Sequence, residues 1–202
     1  MITTLIPTFG SKSKAQEILL LLHDAKKVVR QGFYQHEIYA VEKFCRKNEI
    51  FLIKSKFKII LDDTDDIYSN RGLKIPEKDA RRGMLFLYLS KTERLALLAA
   101  YYEQISNDRE LGLLLGYPQC CVDFFCKNFS DKHTNLELFP SNPYTNLSQR
   151  KNDAVLISHF PCASNCEKSI AVAKRYLRVL EEVDEGRAEE LLRELKVDKI
   201  LR

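Results

Sequence analysis

Six cysteines are spread over 202 residues, and five of them fall in two short segments that share one grammar. The first segment reads Leu115-Gly116-Tyr117-Pro118-Gln119-Cys120-Cys121-Val122-Asp123-Phe124-Phe125-Cys126. The second reads Ser158-His159-Phe160-Pro161-Cys162-Ala163-Ser164-Asn165-Cys166. Each passes from an aromatic residue through proline to cysteine. Gly116 suits the end of one helix and Pro118 the first position of the next, so Cys120 and Cys121 are expected in a first helical turn. Pro161 likewise predicts a helix start, with Cys162 in its first turn and Cys166 four residues further along the same face. The free amides and positive dipole end of a helix N-terminus favour a thiolate. Two such helix starts aimed at one point bring together Cys120, Cys121, Cys162 and Cys166, with His159 nearby. That set suits a soft metal or a thiolate reaction.

Other roles compete for these residues. An isolated cysteine on an apolar helix face is ordinarily a small core residue, the reading that fits Cys45. Cys126 stands five positions from Cys121 and points off its line, which leaves it divided between core and site. A disulfide such as Cys120–Cys162 is the alternative to a metal in the oxidised interior of a hyperthermophile. For a metal, neither segment has the Cys-x2-Cys knuckle common in structural zinc sites, and adjacent cysteines near helix amides suit an iron–sulfur cluster equally well. Zinc and iron–sulfur therefore both stay open. His159 is a candidate ligand or reacting group, against the plainer role of capping a helix or bonding a carbonyl.

The pairing of Leu-Gly-Tyr-Pro-x-Cys-Cys and an aromatic pair with Ser-His-Phe-Pro-Cys-x3-Cys, leading into Ser169-Ile170, resembles domain-of-unknown-function family 483, which is mostly archaeal. The similarity covers roughly residues 83–182. It implies that Gly116, Tyr117, Pro118, Cys120, Cys121, His159, Pro161, Cys162 and Cys166 belong to a family signature. It implies no reaction.

The elements that must position these residues follow from hydrophobic periodicity. Ile18, Leu21, Leu22, Ala25 and Val28-Val29 predict a helix over 13–30, and Ile38, Val41, Phe44 and Cys45 a second over 33–48. Ile50–Ile53 and Phe57–Leu61 are rich in β-formers and predict a hairpin or one long strand, followed by a loop up to about Asp79. Gly83–Leu89 reads as a buried strand and Thr92–Ile105 as a helix, with a short helix over 109–115. Residues 127–152 are loop-like, and Ala154–Ser158 reads as a short strand. A long helix is expected from Pro161 to about Glu182, then another near 186–196. The expected fold is α/β or α+β, with a small, mostly buried sheet flanked by helices, a helical N-terminal portion and a long C-terminal helix. Domain boundaries at 1–49 and 50–202 fit this order, as does one domain over 1–202.

Charge narrows the function classes only a little. The net charge is +4, and residues 1–60 carry eleven Lys/Arg against five Asp/Glu, which allows a polyanion partner without making a basic domain. Lys54, Lys56 and Lys58 alternate along one strand face that is either solvated or RNA-facing. Asp62, Asp63, Asp65 and Asp66 lack the glycine and glutamate of a calcium loop, so a solvated loop is expected. Arg81-Arg82 and Arg150-Lys151 are possible anion contacts. No secretory leader opens the chain and no apolar run spans a bilayer, so a cytoplasmic protein without a membrane partner is expected. Phosphate-loop, zinc-protease and nucleophile-elbow motifs are missing. Two readings remain: a metal-dependent enzyme acting on an unknown small molecule, or a non-catalytic module with structural zinc or disulfides that binds RNA or a partner protein.

Overall fold

The computed structural model describes residues 1–61, 72–130, 132–139 and 142–196. They form a mixed α/β fold whose chain separates into two compact units. The aspartates at 62, 63, 65 and 66 lie outside the described residues.

One unit, Lys26–Gly116 with Phe129–Asn135, holds the sheet. Strands β1 (Val29–Phe33), β2 (Phe51–Leu61), β3 (Gly72–Pro76) and β4 (Met84–Ser90) lie in the order β1-β4-β2-β3, every pair antiparallel. Helices α3 (Gln35–Lys47), α4 (Glu93–Gln104) and α5 (Asp108–Leu114) belong to the same unit. Alternation along β4 sends Leu85, Leu87 and Leu89 to one face and Phe86 and Tyr88 to the other. On the second face, Glu103 of α4 accepts hydrogen bonds from the Tyr88 hydroxyl at 2.8 Å and from Arg30 Nε at 2.5 Å. On the first face, Lys54, opposite Leu87, pairs with Glu42 of α3 at 2.9 Å. The sheet is therefore flanked by helices, as the periodicity implies. Cys45 is a buried core residue of α3, and burial, with Glu42 second, pushes its thiol up to about 12.

Lys54-Ser55-Lys56 is not a turn. β2 runs through it as one strand, with an irregular register between Lys54 and Lys58. Ser55 occupies the bulge, donating to the Phe57 carbonyl at 2.6 Å and accepting from the Phe86 amide at 3.0 Å. A polar side chain thus replaces ladder bonds that the extra residue breaks. Lys58 bonds to the Asp79 and Arg81 carbonyls, so two of the three alternating lysines are drawn into contacts of their own unit. Gly72–Pro76, expected as loop, is an edge strand. Its proline sits at the strand end, where no ladder donor is needed.

The helix expected over 13–30 stops early. α2 spans Lys12–Leu22, Asp24 takes a left-handed φ of 59°, and Val29 begins β1 opposite Leu89. The β-branched pair Val28-Val29 is worth more in the sheet than as another helical turn. Gly116 follows α5 with φ 83°, and no atom lies within 4 Å of where a Cβ would stand, so only backbone strain opposes a side chain there. Gly116→Ala is expected to cost about 1–2 kcal/mol, read as a lower urea midpoint.

The other unit comprises Met1–Ala25, Tyr117–Asn128 and the described residues from 136 onward. It is built from α1 (Ile2–Phe9), α2, α6 (Gln119–Asn128), α7 (Glu167–Val183) and α8 (Glu185–Glu194), with no strand among its described residues. Ala154–Ser158, expected as a strand, is unladdered, although its first four residues are buried. The Ala154 amide bonds the Gln149 carbonyl at 3.1 Å, and Gln16 Nε2 donates to the Val155 carbonyl at 3.1 Å. An apolar run of strand length reports burial, and pairing needs a neighbouring strand. Glu190 of α8 is held between Lys12 and Arg187; burial opposes its ionisation, but these two cations outweigh it and lower its pKa. The stability from this depressed carboxylate is present above the unfolded value near pH ~4.3 and is lost as pH falls through the lower folded value. Acid melting of Glu190→Gln should lack that component.

Candidate metal centre

Both pairs of cysteines belong to the helical unit. Pro118 precedes α6, its carbonyl accepts the Cys121 and Val122 amides at 2.9 and 3.0 Å, and Cys120 and Cys121 fall in the first turn as expected. The second segment behaves differently. α7 does not begin at Pro161; it begins at Glu167, and Cys166 is its N-cap. Residues 161–165 form turns instead, closed by the Cys166 amide on the Ala163 carbonyl at 3.0 Å. The Cys162 amide is given to Cys121 Sγ at 3.4 Å, and the Thr145 hydroxyl holds the Ser164 carbonyl. Cys162 and Cys166 therefore approach from a turn and a cap rather than from one helical face.

The result is a compact tetrad. Cys120, Cys121, Cys162 and Cys166 place their sulfurs within 4.8 Å of one another, close enough to bind a metal ion. Cys120 Sγ lies 3.9 Å from Cys121 Sγ and 3.8 Å from Cys166 Sγ, and Cys121 Sγ lies 3.7 Å from Cys166 Sγ. All four are free thiols rather than disulfides. Cys126, one turn and more along α6, is exposed and outside the tetrad.

His159 stands one residue removed. Its Nε2 is 2.9 Å from Ser169 Oγ, which is in turn 3.1 Å from Cys121 Sγ. The imidazole also lies against the Tyr117 ring, centroids 4.9 Å apart. The structure therefore brings the four cysteines together and sets His159 behind Ser169. Ser169 follows the second segment, but the motif assigns it no role. Its signal is a fully buried hydroxyl on the face of α7 that otherwise carries Ala173, Tyr176, Leu177 and Leu180.

The thiols do not ionise alike. Burial opposes ionisation of Cys166, but the Ser169 amide and hydroxyl, followed by the Cys162 and Cys121 thiols, overcome it and bring Cys166 down to about 7. Its position at the head of α7 acts in the same direction. Burial, with neighbouring thiols, pushes Cys162 up to about 11, and burial also raises Cys121. Four sulfurs this close cannot all carry charge without a cation among them.

The model of one family, described as Protein of unknown function (DUF483), matches residues 96–196, half of the chain. The chain belongs to this family. The DUF483 match begins later and ends later than the 83–182 that the motifs suggest, and it contains the tetrad, His159 and Ser169. No curated protein and no solved structure matches the chain. Among the described residues, no helix is long and apolar enough to cross a membrane.

Proposed function

We propose that this DUF483 protein is a zinc protein in which Cys120, Cys121, Cys162 and Cys166 hold one ion as a tetrathiolate. The observation that carries this reading is the spacing of the sulfurs. A tetrahedron with metal–sulfur bonds of about 2.3 Å has edges of about 3.8 Å. Three of the sulfur pairs measure 3.7–3.9 Å, and all four sulfurs lie within 4.8 Å of one another. Thiolates bound to different irons of a cluster stand farther apart than thiolates sharing an ion, so the spacing favours a single ion over an iron–sulfur cluster. Four cysteines also fill a tetrahedral shell, which is the arrangement of structural zinc.

The ion would tie the N-terminus of α6 to the turn and cap that lead into α7. These two helices are far apart in the chain, with two short 3-10 turns among the described residues between them, and an ion at their heads would tie them together directly. Its charge would also relieve the repulsion among four thiolates. Protein purified without oxygen should contain about one zinc per chain, no inorganic sulfide and no visible absorption. A coloured protein containing iron and sulfide would overturn the zinc reading in favour of a cluster. A folded, metal-free protein would overturn both.

A further inference from the structure

The four sulfurs divide into two edges with different surroundings. Cys121 and Cys166 are 2% and 8% exposed. The Ser169 hydroxyl and the Cys162 amide both stand within hydrogen-bond reach of Cys121 Sγ. Cys120 and Cys162 are half-buried, and among the described residues the hydrogen-bond neighbours of their sulfurs are other cysteines of the tetrad. Once an ion holds those cysteines as thiolates, none of them remains a donor. The inner pair then keeps donors from the protein, and the outer pair keeps none.

A hydrogen bond to a thiolate draws electron density from sulfur, and burial blocks approach to it. Both effects lower reactivity on the inner pair, and neither protects the outer pair. Phe160, two residues before Cys162, stacks on Phe125, one turn beyond Cys121, at 6.4 Å and 8°. Both rings are half-buried, and the Arg150 guanidinium lies 5.8 Å from the Phe160 ring centre. The two cysteine segments thus carry aromatic as well as sulfur surface, which suits an uncharged alkyl group.

We propose that Cys120 and Cys162 are the reactive edge of the centre, metal-held thiolates that accept an alkyl group from a soft carbon electrophile, while Cys121 and Cys166 anchor the ion. This rests on the zinc reading above. In the step, a thiolate lone pair forms an S–C bond to an sp3 carbon. The bond from that carbon to its leaving group breaks, and its electron pair departs on the leaving group. No proton moves, and the thiolate becomes a thioether.

The test uses the zinc-loaded full chain in a Cys126→Ser background, which removes the exposed thiol of α6. Zinc content is measured first; methyl iodide is then the electrophile, and methylated positions are mapped by peptide mass. Methyl groups are expected on Cys120 or Cys162, at rates at least about tenfold above Cys121 and Cys166, the equivalent of one hydrogen bond to a charged group. Ser169→Ala is expected to raise the Cys121 rate by about tenfold and to leave the Cys120 rate unchanged. A zinc-loaded protein that methylates evenly at all four positions, or at none, overturns this inference and leaves the zinc reading standing. A protein that holds no metal overturns both.

Discussion

Cys166→Ser is expected to release the metal while preserving the helix that Cys166 caps. Serine is a good N-cap, so the substitution removes sulfur without removing a capping group from α7. Loss of a group that merely supports a ligand commonly costs about 10–100-fold in metal affinity, and loss of a thiolate ligand should cost more. The consequence reaches stability because a structural zinc site forms only in the folded chain. Binding of about 10–16 kcal/mol in small zinc domains is then available to folding. Competition against a chromophoric chelator should show the lower affinity, and thermal melting should show a lower midpoint in the presence of zinc. Excess chelator should bring the wild type down to the midpoint of the variant. Equal midpoints for both proteins in zinc would contradict a structural role for the ion.

Arg187→Leu is expected to be the most damaging change remote from the cysteines. The Arg187 side chain is fully buried in the helical unit. Its Nε donates to Gln16 Oε1 at 3.0 Å, its Nη1 to Glu190 Oε2 at 2.8 Å, and its Nη2 to the Asp153 carbonyl. One guanidinium thereby joins α8 to α2 and to the turn at Asp153. That turn also matters to α2, because the Asp153 carboxylate accepts the Lys12 and Ser13 amides at 3.1 and 3.2 Å. Leucine would leave the Gln16 and Asp153 oxygens buried without this donor, at a cost of about 3–5 kcal/mol. Against a total stability of roughly 5–15 kcal/mol, such a loss shifts the urea midpoint severely. Lysine keeps the charge but cannot present three separated donors, so Arg187→Lys should recover only part of the loss. A midpoint unchanged in Arg187→Leu would show that the network contributes nothing.

Local signals were legible wherever the chain's own chemistry decides the local structure. Gly116 and Pro118 mark a helix end and a helix start, and Cys120 and Cys121 fall where that grammar puts them. The α3, α4 and β4 segments carry periodicity strong enough to survive packing. The misreadings share one physical origin, the presence or absence of partners distant in sequence. Pro161 does not start a helix: the Ser164 carbonyl is taken by the Thr145 hydroxyl and the Cys166 amide closes a turn on the Ala163 carbonyl. Val28 and Val29 continue a helical pattern, yet β4 offers Val29 a partner in Leu89. Gly72–Pro76 is only five residues long, with Leu73 and Ile75 as its aliphatic residues, and becomes a strand because β2 presents an edge. The short apolar run at 154–157 has no strand beside it among the described residues of its unit. Spacing named the four cysteines and their convergence, but the turn and cap that carry Cys162 and Cys166, and the place of Ser169 between Cys121 and His159, needed the tertiary structure.

X-ray absorption at the metal edge of anaerobically purified protein tests the central claim most directly. Four sulfur scatterers at about 2.3 Å from zinc, with no metal–metal scattering, are the predicted result. Nitrogen or oxygen in the first shell, or a second metal within the cluster distance, would contradict a single ion held by Cys120, Cys121, Cys162 and Cys166.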